Sequence, residues 1–420
     1  MRYTPHTPDQ IALMLAKIGE KEIGGLYSDV PRDLMLSAPP DIEGGYDEPR
    51  LIRHLGELAE SDFSGIGFAG AGSYSHHSPA AVGHIMSLSG LYTSYTPYQA
   101  EVSQGVLQAL FEYQSMMAQL CGKDICNATM YDGSTALAEA AVMARNMTRR
   151  DEIVAADSLH PHYLSVLSTY CAAGGMEFQA MPLEEIAPSK DTAAVIVQSP
   201  DYWGTLHDSA ELFKAASDAG ARSIALCLEM TSLGLVSPAA ADIFAGDGQA
   251  LGLPTSFGGP SFGVLCACAA DARRMPGRLV GQTADSKGRR GYILTLQTRE
   301  QHIRRQRATS NICTSQSLCG IGAAAYLALL GPSGLGDVAR ASHLNANYLM
   351  EGLLALPGFG LAHPGPIYNE FTMSCPKGTY EAMIEAGFGP PVRGGEDMLI
   401  FATTEMHRKA DLDALLGVLS

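Results

Sequence analysis

The segment from residue 92 to residue 104 brings together side chains that can bind a small polar molecule. Its three tyrosines lie among hydroxyl, amide and carboxylate groups: Tyr92, Tyr95, Tyr98, Gln99, Glu101, Ser103 and Gln104. Aromatic residues make up only 7% of the whole chain, so this density is more than an ordinary surface loop needs. We interpret the segment as a binding or contact surface.

A second candidate site lies where a short apolar strand, predicted at 127–131, leads into an Ala-rich helix. The junction reads Asp132-Gly133-Ser134-Thr135. The first N–H groups of a helix have no partner within the helix and attract an anion. An aspartate at this point is also a common helix cap, and the cap is the more frequent role. The sequence leaves both interpretations open.

No metal site is predicted from the histidines or the cysteines. His76 and His77 are adjacent, but no carboxylate or cysteine accompanies them at ligand spacing, so a glycine-rich loop near a cleft is the better interpretation. The nine cysteines lack the paired spacing of a zinc site. We expect reduced, mostly buried thiols in a cytoplasmic protein.

Composition and charge exclude several classes of function. The 420 residues are 46% hydrophobic, which allows a large core and more than one domain. The formal net charge of −16 would repel nucleic acid and anionic membrane surfaces, so neither is an expected partner. The longest apolar run, residues 321–330, is too short to cross a bilayer.

The elements that must position these residues form an α/β pattern. Short apolar strands are predicted at 152–155, 176–180, 193–198, 223–228 and 263–268, with helices at 163–173 and 209–219 between them. This alternation predicts a mostly parallel sheet with helices on both faces. Ligands bind such sheets at the carboxyl ends of the strands.

The two ends of the chain read differently from its centre. Thr7, Pro8 and Gln10 predict a capped helix, followed by an extended arm and a helix at 48–61. A break at 331–334 precedes a helix at 337–355, strands at 369–374 and 397–403, and a helix at 408–419. The predicted domains are therefore an N-terminal arm (1–65), a large domain (66–330) and a small α+β domain (331–420).

Several stretches resemble one known family across nearly the whole chain. TPYQxExSQG at 96–105 and MYDGSTALAEA at 130–140 resemble the N-terminal subunit of glycine decarboxylase, the P-protein of the glycine cleavage system. Agreement continues at 198–204, 256–260 and 291–314. The resemblance implies the aspartate-aminotransferase fold of pyridoxal-phosphate enzymes, with a large doubly wound lobe and a smaller C-terminal lobe.

A pyridoxal-phosphate enzyme needs an anion site, a ring that stacks on the cofactor, a carboxylate for the pyridine nitrogen and a lysine. The resemblance implies a vestigial cofactor site at Ser134, Thr135 and His160, although each also suits a helix cap. Glu229 stands at the carboxylate position. Gln249 stands at the expected lysine position, and no lysine occurs between Lys214 and Lys287. Because a carboxamide cannot form an imine, no catalytic residue is expected in this chain. Lys287 is the nearest substitute, in a loop expected to be exposed.

The resemblance therefore implies a subunit that completes the site of another chain. That partner would be a lysine-bearing subunit 2 that holds the pyridoxal phosphate, in a heterotetramer of two dimers. The residues expected to contact glycine or the lipoyl arm of the H-protein are Ser73, Tyr74, Tyr95, Tyr98, Gln99, Glu101 and Gln104. An interface patch without substrate contact is equally consistent with these residues. An autonomous pyridoxal-phosphate enzyme and a silent scaffold remain as alternatives.

The basic residues between 299 and 307 form a separate feature. Their spacing is typical of a solvated or interface face. Arg304 and Arg305 are therefore candidates for docking an acidic carrier protein.

Overall fold

The computed structural model describes residues 5–60, 62–63, 65–308 and 310–420, and the chain divides into two compact units, 1–64 and 65–420. The first unit contains helices α1 (Pro8–Ile18) and α2 (Glu48–Glu60). The predicted capping box is confirmed, because Thr7 and Gln10 exchange hydrogen bonds of 2.9 and 3.3 Å. The predicted arm is less extended than expected, since it contains 3₁₀ turns at Ile23–Tyr27 and Arg32–Leu34. The predicted end of α2 at Ser61 lies outside the described residues.

A seven-stranded sheet organises the unit that begins at residue 65. Its strands are β1 (Ile125–Cys126), β2 (Glu152–Ala156), β3 (Glu177–Met181), β4 (Thr192–Gln198), β5 (Arg222–Cys227), β6 (Ile243–Asp247) and β7 (Gly263–Ala267). Their order is β1-β7-β6-β5-β4-β2-β3, parallel from β6 to β3, with β7 antiparallel to β6. The five predicted strands are confirmed. The strand predicted at 127–131 is wrong, because Thr129 has a positive φ of 73° and only Met130 makes an isolated bridge, to Gly263.

Both faces of this sheet are buried. On β5, Ile224 and Leu226 pack into one core, while Ala225 and Cys227 pack into the other. Successive side chains of a strand point to opposite faces, so a doubly covered strand is apolar throughout. The helices that pack on the strands of this sheet are α5 (Gln104–Leu120), α6 (Gly133–Thr148), α7 (Pro161–Gly174) and α8 (Ala210–Asp218). The short helices α3 (Ala80–Ser87) and α4 (Ser89–Tyr92) precede α5 in the chain.

A two-stranded hairpin that the sequence did not predict packs against α5. It consists of β8 (Leu279–Ala284) and β9 (Arg290–Thr295), and the short helix α9 (Gln301–Arg304) follows it. Its turn is held by Asp285, whose Oδ1 accepts from the N–H groups of Lys287 and Arg289 at 2.8 Å. Lys287 is exposed, as expected.

The C-terminal region is built on the long helix α10 (Ser317–Leu354). The predicted break at 331–334 is confirmed, because Gly331 (φ 60°, ψ −176°) is not helical and α10 consists of two helical segments that meet at this kink. By length and composition α10 is the one helix of the described chain that could cross a membrane. Its residues instead pack into the protein, with Ala323 in a core of the large sheet and Leu349 in a separate C-terminal core.

The small sheet forms the second layer of this region. Its strands are β10 (Gly360–Leu361), β11 (Glu370–Ser374), β12 (Val392–Arg393) and β13 (Met398–Ala402), in the order β10-β11-β13-β12. Helices α11 (Thr379–Glu385) and α12 (Lys409–Leu419) complete it. We call this region the small lobe and the region of the seven-stranded sheet the large lobe. The predicted domain boundaries at 65 and 330 stay predictions.

Candidate functional site

The candidate site lies at the carboxyl edge of the parallel strands. His160 follows β2, Asp201 follows β4, Glu229 follows β5 and Gln249 follows β6. Because parallel strands end at the same edge, these side chains are placed along one face of the large lobe. The resemblance assigns cofactor positions to His160, Glu229 and Gln249, so the predicted site lies at this edge.

Gln249 is buried and every polar group of its side chain is bonded. Its Oε1 accepts from the N–H of Tyr74 at 2.9 Å. Its Nε2 donates to the carbonyls of Tyr74 at 3.0 Å and Leu253 at 2.8 Å. The carboxamide thus both donates to and accepts from the backbone of Tyr74. The amino group of a lysine could not do this, because a protonated amine has no acceptor.

Carboxylates occupy the N-terminus of α6. The Oδ1 of Asp132 accepts from the Thr135 N–H at 2.8 Å and from the Ser134 hydroxyl at 2.7 Å. The buried Asp247 accepts from the Gly133 N–H at 3.0 Å, and burial raises the pKa of Asp247. The donors that would receive an anion therefore already bind two acidic side chains. The cap is the role that the geometry supports for Ser134 and Thr135.

His160 faces the protein's own backbone. Its Nδ1 accepts from the His162 N–H at 3.1 Å, which assigns the proton to Nε2, and Nε2 donates to the carbonyl of Ala71 at 3.0 Å. Burial lowers the pKa of His160 and keeps the ring neutral. Tyr202 meets the imidazole edge-on, at a centroid distance of 5.1 Å.

A buried histidine lies between two carboxylates at the end of β5. His76 Nε2 is 3.0 Å from Glu229 and its Nδ1 is 2.6 Å from Glu405 of the small lobe. Burial alone would lower the pKa of His76, but the two carboxylates outweigh it and raise the pKa to about 10. His76 is therefore an imidazolium that donates from both nitrogens. The other oxygen of Glu229 accepts from the N–H and the hydroxyl of Thr231.

Tyr74 links the same loop to the small lobe. Its hydroxyl donates to Glu370 Oε2 at 2.9 Å, and the other oxygen of Glu370 accepts from the Ala71 N–H at 2.6 Å. Burial raises the pKa of Glu370 to about 8 and also raises that of Tyr74. Tyr74 is thus a buried structural contact, whereas its neighbour Ser73 is exposed.

The other predicted substrate residues lie on an exposed segment. Tyr95 is 73% exposed and Tyr98 is 45% exposed, and Gln99 and Glu101 are exposed as well. The Tyr98 hydroxyl accepts from Arg278 Nη2 at 3.0 Å. The predicted set therefore splits into Tyr74, which is buried at the carboxyl edge, and a group that is free to contact another molecule.

Gln104 holds the end of this segment to the β8–β9 hairpin. Its Oε1 accepts from the N–H of Tyr292 at 2.9 Å, and its Nε2 donates to the carbonyls of Tyr292 and Ala100 at 2.9 and 2.6 Å. The side chain of Gln104 therefore joins two segments of this chain, although the sequence suggested a substrate contact.

Sequence reasoning missed the acidic residues that complete the edge. Glu370 and Glu405 lie in the small lobe, about three hundred positions away from the loop that they bind. Asp247 ends β6, a strand that was itself not predicted. His76 was noted as part of a loop near a cleft, and a lone buried histidine gives no local signal of its partners. Among the described residues, no group of His, Cys, Asp and Glu has the arrangement of a metal site.

Comparison with known structures identifies the fold. The cystine C–S lyase C-DES, solved with glycine linked to its pyridoxal-phosphate cofactor, aligns with a TM-score of 0.62 at 16% identity, covering 85% of this chain and 96% of that chain. The chain has the aspartate-aminotransferase-type fold of pyridoxal-phosphate enzymes, as predicted.

The family follows from much closer relatives. The model of the glycine cleavage system P-protein family matches residues 1–419, and the chain belongs to this family. A probable glycine dehydrogenase (decarboxylating) subunit 1 of Moorella thermoacetica is 41% identical over 440 residues, covering 100% of this chain and 99% of the relative. The crystal structure of an inhibitor-bound glycine decarboxylase P-protein aligns with a TM-score of 0.91 at 42% identity, covering 100% and 99% of the two chains.

Proposed function

We propose that this chain is a subunit of glycine decarboxylase that supplies no cofactor lysine and completes the active site of a lysine-bearing partner subunit. The observation that carries the proposal is Gln249, which stands at the lysine position and is bonded through all its polar groups to Tyr74 and Leu253. The relatives named subunit 1 support a division of the enzyme into two chains.

The whole enzyme removes carbon dioxide from glycine and transfers the aminomethyl group to a lipoyl disulfide on the H-protein. One sulfur of the disulfide bonds to the carbon, and the other leaves as a thiol. Pyridoxal phosphate, held by the partner, supplies the electron sink for this decarboxylation. The residues of this chain bind and orient the substrates, and they exclude water from the site.

The exposed part of the 92–104 segment supports this role. Tyr95, Tyr98 and Gln99 offer hydroxyl and amide groups, and Glu101 offers a carboxylate to the ammonium group of glycine. Gln104 fixes the far end of the segment, so these groups project from an anchored element. We further propose a heterotetramer of two dimers in the cytoplasm.

Cofactor location is tested by borohydride reduction of the assembled two-chain enzyme, followed by mass spectrometry of the separated chains. We expect the phosphopyridoxyl label on the partner chain only. Label on any lysine of this chain would overturn the proposal and support an autonomous pyridoxal-phosphate enzyme.

The substrate role is tested by Glu101→Gln and Tyr98→Phe in the reconstituted enzyme. Loss of the carboxylate should raise the KM for glycine by about tenfold or more, since a hydrogen bond to a charged group contributes roughly 1.5–3 kcal/mol. Glu112→Gln, on the exposed face of α5, is the matched control and should leave turnover unchanged. Unchanged kinetics in Glu101→Gln and Tyr98→Phe would instead identify a silent scaffold.

A further inference from the structure

The loop at 70–77 contacts all three positions that the resemblance assigned to the cofactor at the carboxyl edge. The carbonyl of Ala71 accepts from His160, the backbone of Tyr74 pairs with Gln249, and the ring of His76 binds Glu229. We propose that this loop replaces the cofactor within this chain and holds the large and small lobes in one fixed arrangement. The proposal deepens the proposed function and rests on it, because the cofactor positions are defined by the family.

The chemistry of His76 matches what a cofactor ring would offer to Glu229. In pyridoxal-phosphate enzymes a carboxylate at this position accepts from a protonated ring nitrogen. Here Glu229 accepts at 3.0 Å from an imidazolium, which is also a protonated aromatic ring. A carboxylate with 1% side-chain exposure needs such a cationic donor, because an unpaired buried charge is costly. The second nitrogen of the imidazolium reaches Glu405, so one ring joins two carboxylates.

The loop also fits its site too closely to leave room for another ring. A Cβ on Gly70 would lie 2.3 Å from Glu370 Oε1 and 2.5 Å from the Cβ of Ala402. A Cβ on Gly72, which has a φ of 92°, would lie 3.3 Å from the His160 ring. The backbone of the loop therefore packs closely against the small lobe at Gly70 and against the large lobe at Gly72.

These contacts connect the lobes through charged and polar groups. On the small-lobe side, Glu370 binds Ala71 and Tyr74, and Glu405 binds His76 and the N–H of His77 at 2.7 Å. On the large-lobe side, the same loop binds the residues after β2, β5 and β6. Movement of one lobe against the other would break the contact of the buried His76 with either Glu229 or Glu405, so the arrangement is fixed.

The test is removal of the His76 ring and its replacement by a free molecule. In the assembled two-chain enzyme, His76→Ala should lower the unfolding midpoint of this chain by roughly 5–10 °C, since it leaves the buried Glu229 and the partly buried Glu405 without their cation. Imidazole should restore about half of that shift or more by binding in the cavity. Thiazole, a ring of similar size that stays neutral, should not restore it.

Hydrogen exchange measured by mass spectrometry tests the link between the lobes. In His76→Ala we expect faster exchange both in residues 228–234 of the large lobe and in residues 398–407 of the small lobe, and imidazole should slow it again. His77→Ala is the matched control, because His77 is adjacent and exposed and binds Glu405 only through its backbone N–H. The His77→Ala variant should have the same hydrogen exchange and the same unfolding midpoint as the unsubstituted protein.

Three results would overturn the inference: an unchanged midpoint in His76→Ala, equal rescue by imidazole and thiazole, or faster exchange confined to residues 70–77. If His76→Ala does not assemble, Glu405→Gln is the alternative variant, because it keeps the side-chain volume and removes only the charge. Residues 398–407 of the small lobe should then exchange faster. Unchanged exchange in these residues would contradict the inference. Midpoints and exchange do not depend on turnover, so their failure leaves the borohydride test of the proposed function intact.

Discussion

Gln249 holds the loop at 70–77 against the carboxyl edge of the sheet. A carboxamide both donates and accepts, and Gln249 uses this to pair with the backbone of Tyr74 in both directions. The position that the resemblance predicts for a reactive amine instead anchors a loop. Gln249 has no nucleophilic nitrogen, and its structural role at this position is to bind the backbone of Tyr74.

Removal of this carboxamide should be costly. Gln249→Met has a similar volume but leaves the N–H of Tyr74 and the carbonyl of Leu253 without partners, while the carbonyl of Tyr74 keeps the N–H of His76. We expect the free energy of unfolding to fall by about 2–4 kcal/mol, because each buried polar group left unpaired costs roughly 1–3 kcal/mol. Denaturant titration measures the free energy of unfolding of both proteins. Gln108→Met, on an exposed helical face, should stay within about 0.5 kcal/mol of the unsubstituted protein, and a similar loss in both variants would contradict the argument.

His76 gives the stability a pH dependence of known sign. Its pKa is raised from 6.5 to about 10 on folding, so its contribution is fully present below pH 6.5 and is lost as the pH rises toward 10. The surrounding groups Glu229, Glu405, Glu370 and Tyr74 also carry ionisable protons, so the comparison must isolate this ring. We expect the difference in unfolding free energy between the unsubstituted protein and His76→Gln to shrink steadily across this range. A difference independent of pH would show that the ring is neutral in the folded state.

At the scale of elements, the 70–77 loop depends on a glycine at its entry. The Cβ of Gly70→Ala would clash with Glu370 and Ala402, which belong to different strands of the small sheet. We expect a loss of about 1–3 kcal/mol or more in unfolding free energy, the usual cost of overpacking. Gly67→Ala is the control, since a Cβ there meets nothing within 4 Å. Equal stability of the two variants would mean that the loop has room to move.

Elements with a strong local pattern were predicted, and those without one were missed. The strands β2, β4, β5 and β7 are mostly apolar, because both faces of the sheet are covered there, and the edge strand β3 has apolar residues at Phe178, Ala180 and Met181. In contrast, β6 has only Ile243-Phe244-Ala245 before Gly and Asp, and it was not recognised. The β8–β9 hairpin has few buried residues: β8 is buried only at Leu279 and Val280, and β9 only at Tyr292 and Leu294. The sequence around Lys287 was interpreted as an exposed loop, and the strands on either side of it were not recognised.

The site was predicted only as far as single positions allow. Gln249 and Glu229 were placed by motif spacing, and the Asp132 cap by residue type. The contacts that define the edge join residues of the 70–77 loop to Glu370 and Glu405, and no local pattern encodes a pairing over such a separation. The hydrogen bonds of Gln104 to Tyr292 likewise could not be predicted, because 188 residues separate the two positions.

At the scale of the whole molecule, the basic segment at 301–307 stands out on an acidic protein. Arg304, Arg305 and Arg307 are exposed, and no carboxylate in the described part of the chain forms an ion pair with them. Against a net charge of −16, such a segment is a local attraction for an acidic partner.

Charge reversal tests whether the lipoyl carrier docks there. Arg304→Glu with Arg305→Glu should weaken carrier binding by about tenfold or more, mainly through a slower association rate that loses its dependence on salt. Surface plasmon resonance at two ionic strengths measures both rates. Arg273→Glu with Lys377→Glu changes the net charge equally at other exposed positions and should leave affinity nearly unchanged. An identical carrier affinity in the Arg304 and Arg305 variant would end the hypothesis.

The helix α6 N-terminus has a further consequence. Asp132 and Asp247 already supply negative charge to its donors, so a phosphate arriving there would meet two like charges as well as a filled site. When the apoenzyme is titrated with pyridoxal phosphate, we therefore expect saturation at one equivalent for each pair of chains, with no weaker second class of binding.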